Sequence, residues 1–166
     1  MKIKQLADQI AAKYRTRDPY ELARALDVIV IDTPLQGVRG FCHRISRCKI
    51  IYIDNSLDDW QRRIVCAHEL GHLLMHKDLN RIYMDNHTYL LSSRYEREAD
   101  KFAVCYLYDD DYIQQLQLGT VQQASAAMGV PEPLAEYRML CTPPTLFQDT
   151  IKDQPTAATV DWPKSM

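Results

Sequence analysis

Two histidines four residues apart, His68 and His72, stand in the string HELGH with Glu69 beside the first. On an α-helix, residues four apart differ by about 40° of rotation and 6 Å of rise, so both imidazoles project from one face and can share one small cation. Glu69 falls on the adjoining part of that face, able to reach a water molecule without displacing either histidine. Zinc hydrolysis asks for this set: neutral imidazoles as ligands, an open coordination position, and a carboxylate that takes a proton from water.

A catalytic zinc also needs a third protein ligand. Residues 95–100, YEREAD, supply a candidate. Glu96 and Asp100 are again four apart, on a second predicted helix whose apolar positions Ala99, Phe102, Ala103 and Tyr106 share a face. If the two apolar faces pack together, Glu96 completes a two-His, one-Glu site. Asp100, one turn on, then accepts the N–H of a ligand imidazole and fixes its tautomer. Glu98 points about 160° away from Asp100's side of the helix, so Glu96 is the expected ligand. An isolated match of this kind can be a solvated helix carrying ordinary histidines. Here the motif lies mid-helix among Ile64, Ala67, Leu74 and Met75, where unpaired polar groups are costly. Gly71 weakens a helix by about 1 kcal/mol relative to Ala, which points to close approach by another element.

The elements that position these residues are legible in the pattern. Ile3, Leu6, Ala7, Ile10 and Ala11 repeat at helical spacing. Asp18, Pro19 and Glu21 open a second helix as cap, first residue and capping-box partner. Residues 28–32, VIVID, read as a strand closed by Pro34 and Gly37. Residues 38–45 and 48–54 flank Ser46 and Arg47 as a hairpin. Ser56, with Asp59 three residues on, is the expected cap of the long helix that carries the histidines. Short helices are expected over 112–118, 120–128 and 131–140, broken at Gly119 and Gly129. From Cys141 the chain holds Pro143, Pro144, Pro155 and Pro163 without periodicity and reads as an unstructured tail.

The 166 residues suit one domain, expected over 1–140 with the tail over 141–166. A formal charge of −2 gives no general attraction to nucleic acid or anionic lipid. No apolar run approaches the roughly 18 residues of a membrane span, and the N-terminus has no signal-peptide pattern. Five cysteines, an odd number without framework spacing, fit a reducing, cytoplasmic setting.

HELGHLLMH followed by EREADKFA resembles the ImmA/IrrE family of bacterial metallopeptidases, found on phages and integrative elements. The likeness runs over about residues 18–139. It implies a minimal, gluzincin-like α+β zincin: a small twisted sheet of about three strands packed against the two ligand-bearing helices, with further helices around them. It makes His68, His72 and Glu96 the zinc ligands and Glu69 the general base. The family often has Asn where this chain has Asp100, and AVCYLYDDD replaces a common AAELLLP. The implied activity is cleavage of a specific helix-turn-helix repressor of the same element, encoded nearby, which relieves repression.

Other residues compete for roles. His76 lies about 12 Å along the helix axis from His68, too far to share its zinc, and suits a helix C-terminus. His87, Tyr83 and Tyr89 could stabilise an oxyanion, and that role stays open. Cys42, His43 and Cys48 suggest a second metal site, but their spacing across a tight hairpin favours ordinary strand residues. Residues 120–139 have helix-turn-helix spacing, which raises the alternative of a DNA- or protein-binding regulator acting without proteolysis. Glu132 and Glu136 against Arg138 give its second helix the wrong charge for phosphate. The substrate is expected as an extended strand beside the hairpin, with Arg44, Arg47 and Lys49 favouring an acidic segment.

Overall fold

The computed structural model describes residues 3–45, 48–76, 89–116 and 119–143, the side chains of 89–92 excepted. Helices α1 (Ile3–Tyr14) and α2 (Pro19–Ala25) lead into strand β1 (Val28–Thr33) and the hairpin β2 (Gly40–Ile45) and β3 (Cys48–Asp54). Helix α3 (Asp59–Met75) carries the histidines and α4 (Tyr89–Leu107) carries Glu96 and Asp100. Three shorter helices follow: α5 (Asp110–Gln115), α6 (Val121–Met128) and α7 (Glu132–Leu140). The architecture is the expected α+β one: a three-stranded sheet covered by helices. The expected tail lies beyond the described residues from position 144.

The sheet order is β1-β3-β2, with β1 parallel to β3 and β2 antiparallel to it. Of the two hairpin strands, β3 is therefore central and β2 outer. Alternation sends Val28, Ile51 and Ile53 inward, where they are buried against the helices. Ile29, Ile31 and Ile45 stay exposed on the other face. The same core takes Ala67 and Leu70 from α3 and Phe102, Ala103 and Tyr106 from α4. Burying a side chain the size of Phe102 contributes about 1.5–3 kcal/mol.

Helix starts differ in detail from expectation: α5, expected from residue 112, begins at Asp110 behind an Asp109 cap. Ser56 does not cap α3. Its hydroxyl donates to Asp54 Oδ2 at 2.6 Å, and the helix begins three residues later. Asp58 is the cap: its carboxylate accepts from Gln61 N at 2.7 Å, and Gln61 Oε1 accepts from Asp58 N at 3.4 Å. Two overlapping box patterns compete here, and the acid two residues before Ser56 claims its hydroxyl. At α2, Asp18 caps as expected, accepting from Tyr20 N and Glu21 N. Glu21 returns to the cap only through Thr16, whose hydroxyl accepts from Asp18 N and donates to Glu21 Oε2.

Candidate metal centre

Gly71 sets the spacing of the two helices that meet at the site. A Cβ there would stand 3.1 Å from Phe102 Cδ1 and 3.3 Å from Ala99 Cα. The close approach foreseen from Gly71 is thus that of α4. His72 is the next residue on α3, and Asp100 is the next after Ala99 on α4, so this contact brings the two candidate donor faces together.

The result is a compact donor cluster. His68 Nε2 lies 3.1 Å from His72 Nε2 and 3.2 Å from Glu96 Oε2, and His72 Nε2 lies 3.4 Å from Glu96 Oε1. Zinc bonds of about 2.0–2.1 Å at tetrahedral angles put ligand atoms about 3.3–3.4 Å apart, so these separations fit one zinc. Among the described residues, His68, His72 and Glu96 are the group whose donor atoms fall within 4.8 Å of one another. Asp100 Oδ1 stands 2.8 Å from His68 Nδ1, at the opposite end of that ring. The imidazoles are largely enclosed, while the Glu96 side chain is 38% exposed, so the cluster opens on the carboxylate side.

Burial by itself lowers the His68 pKa. Hydrogen bonds to Asp100 and Glu96 and the nearby charge of Glu69 outweigh it and hold the ring up to about 9. Three carboxylates around two imidazoles demand positive charge, which a proton or a metal cation can supply.

Glu69 is only 2% exposed, yet it lines a cleft of about 230 Å³ with Arg39, Gly40, Ile64, Val65, His68 and Asp100. The cleft lies between the start of β2 and α3. Gly40 makes it possible: a Cβ there would stand 2.5 Å from Val65 Cγ1, 2.9 Å from Tyr52 O and 3.9 Å from Glu69 Cγ. Arg44 ties the other end of β2 to α3 by donating to Leu73 O. Gly40 is a site residue that the motif does not reveal. Its signal was a lone glycine opening a strand, which marks close backbone approach.

The remaining candidates separate from the cluster. His76 is the C-cap of α3, its N–H donating to His72 O at 3.0 Å. Its ring packs edge-on to Tyr95, 4.5 Å between centroids, and its buried Nε2 has no hydrogen-bond partner among the described residues. Burial and then the His72 charge hold its pKa below the usual value. Cys42, His43 and Cys48 are strand residues of β2 and β3, and no metal cluster forms there among the described residues. Tyr83 and His87 lie outside the described residues, as does the side chain of Tyr89.

A family model, Peptidase_M78, described as the IrrE N-terminal-like domain, matches residues 23–140 and so spans both ligand helices. Over 141 residues the chain is 35% identical to "Uncharacterized immunity region protein 2" of Bacillus phage phi105, covering 83% of this chain and 89% of that protein. Over 143 residues it is 24% identical to "Metallopeptidase ImmA" of Bacillus subtilis (strain 168), covering 82% and 83% respectively. The helices, the three-stranded sheet and the sequence matches agree, and the chain belongs to the ImmA/IrrE family of metallopeptidases.

Proposed function

We propose that the protein is a zinc-dependent endopeptidase of the cytoplasm that cleaves a specific repressor of a phage or mobile element, relieving repression. The observation that carries this reading is the convergence of His68, His72 and Glu96 beside the enclosed carboxylate of Glu69. The three ligands would hold one zinc, which when bound acidifies water and polarises a carbonyl.

The chain's own residues do the rest. With zinc bound, Asp100 would accept the Nδ1–H of His68 and so leave Nε2 as the lone-pair nitrogen facing the cluster. Glu69, which lines the cleft beside His68, would take a proton from water and later give it to the departing amine. Gly40 lets the backbone of β2 approach α3, which narrows the space a substrate segment can occupy.

The repressor as target rests on the family and on the relative named for a phage immunity region. A regulator acting by binding alone is the second reading, from the helix pair α6 and α7. Arg138, the base its second helix would offer to phosphate, is fully buried and donates to Tyr108 O, Asp110 Oδ1 and Thr142 Oγ1. The deciding experiment incubates the zinc-loaded protein with candidate helix-turn-helix repressors of phage and mobile-element origin. The wild type should cut one of them at one or a few bonds and Glu69→Gln should not. An intact repressor, bound equally by both, sinks the proteolytic reading and favours the regulator.

A further inference from the structure

We infer that Arg39 is a specificity residue whose guanidinium takes an acidic side chain of the protein substrate about two residues from the bond cut. The inference rests on the proteolytic reading above and assigns what that cleft recognises. Among the residues lining the cleft, Arg39 is the sole Lys or Arg, facing a site that also holds the carboxylates of Glu69, Glu96 and Asp100.

Its backbone is pinned. Arg39 O accepts from Asp54 N at 2.9 Å, and the next residue, Gly40, packs against Val65. Its side chain is exposed and makes no hydrogen bond or ion pair among the described residues. The other bases of this hairpin are committed elsewhere. Arg44 donates to Leu73 O and Lys49 to Leu26 O, while Arg47 lies outside the described residues. Arg62 and Arg63 near the start of α3 pair with Asp32, Asp59 and Asp18. The acidic preference expected from the hairpin bases therefore moves from Arg44 and Lys49 to Arg39.

Position fixes the register. Gly40 lies by Val65 and Glu69 and Arg44 by Leu73, so β2 and α3 run in the same direction. Arg39 accordingly sits toward Ile64, one helical turn before His68, a displacement of about 6 Å. An extended peptide advances about 3.3 Å per residue, so a side chain there belongs about two residues from the scissile bond. Ile64 and Val65 give that part of the cleft an apolar floor. An acidic side chain at that end of the cleft meets Arg39 as its one Lys or Arg partner there, and the guanidinium can grip a carboxylate with two N–H groups.

The test uses zinc-loaded protein carrying Glu69→Gln, so that binding is read without cleavage. The probes are fluorescein-labelled twelve-residue peptides, blocked at both ends, identical except for Glu, Gln or Lys at two central positions. The Glu peptide should bind about tenfold more tightly than the Lys peptide at low salt, with Gln between. Arg39→Glu should reverse that order, and Arg39→Lys should keep the order with a smaller gap because it keeps the charge and loses the fork, with zinc content and melting temperature unchanged. Equal affinities, no binding, or an order that survives Arg39→Glu overturns the inference. So does a Lys peptide that binds as tightly as the Glu peptide once its C-terminus is left free, because the recognised carboxylate is then terminal. Cleavage of the repressor by wild type is scored separately, so a failure here does not touch the proteolytic reading.

Discussion

His68 Nδ1 and Asp100 Oδ1 stand 2.8 Å apart, and this one contact decides which ring nitrogen faces the cluster. Removing it should loosen the metal site without unfolding the protein. Asp100→Ala should weaken zinc affinity by about 10- to 100-fold, measured by competition with a chelating dye. Asp100→Asn should fall between it and wild type, because an amide oxygen still accepts the Nδ1–H. Unchanged affinity in Asp100→Ala would remove Asp100 from the site.

The same contact predicts proton release. With its pKa held up to about 9, His68 carries a proton at pH 7.5 that a metal must displace. Titration calorimetry of zinc into stripped protein, in buffers of different ionisation enthalpy, should show about one proton released per zinc at pH 7.5. The sign for stability follows from a folded-state pKa above the unfolded value of about 6.5. The stripped protein should hold this contribution below about pH 6.5 and lose it as the pH rises through about 9. A neutral His68, seen as no buffer dependence, contradicts this.

Gly40 offers a steric test of the cleft. Gly40→Ala should destabilise the protein by about 1–3 kcal/mol in a urea melt, because its Cβ meets Val65 Cγ1 and the carbonyl of Tyr52. Val65→Ala, combined with it, should recover part of that loss by removing one of the two obstacles. Full additivity of the two substitutions would show that the contact with Val65 does not limit the approach of β2.

Asp18 provides an acid-side prediction away from the site. Burial raises its pKa, but hydrogen bonds from Glu21 N, Arg63 and Tyr20 N outweigh that and hold it below the usual carboxylate value. Its contribution is present above about pH 3.8 and is lost as the pH falls through the lowered folded-state pKa. Asp18→Ala should cost about 1 kcal/mol at pH 7 and leave a shallower acid limb in melts between about pH 5 and 2. An acid limb as steep as wild type would show that Asp18 does not titrate with unfolding.

Much of this was legible in the chain because helical spacing is a geometric rule. Positions four apart place His68 with His72 and Glu96 with Asp100, whatever surrounds them. Gly71 signalled the helix contact that joins the two pairs, and α4 proved to be the partner. Gly40 and Arg39 escaped because their roles depend on which strand is outer and which helix it touches. Neither follows from a period of two. Ser56 misled for a local reason: its hydroxyl donates to Asp54, and Asp58, two residues further on, takes the capping position with Gln61 as its box partner.

The central claim is that His68, His72 and Glu96 hold zinc while Glu69 does not, and metal analysis of four purified proteins tests it most directly. Wild type, Glu69→Gln and Glu98→Gln should each carry about one zinc per chain, and Glu96→Gln should carry far less. Full zinc in Glu96→Gln together with loss in Glu98→Gln would contradict the account.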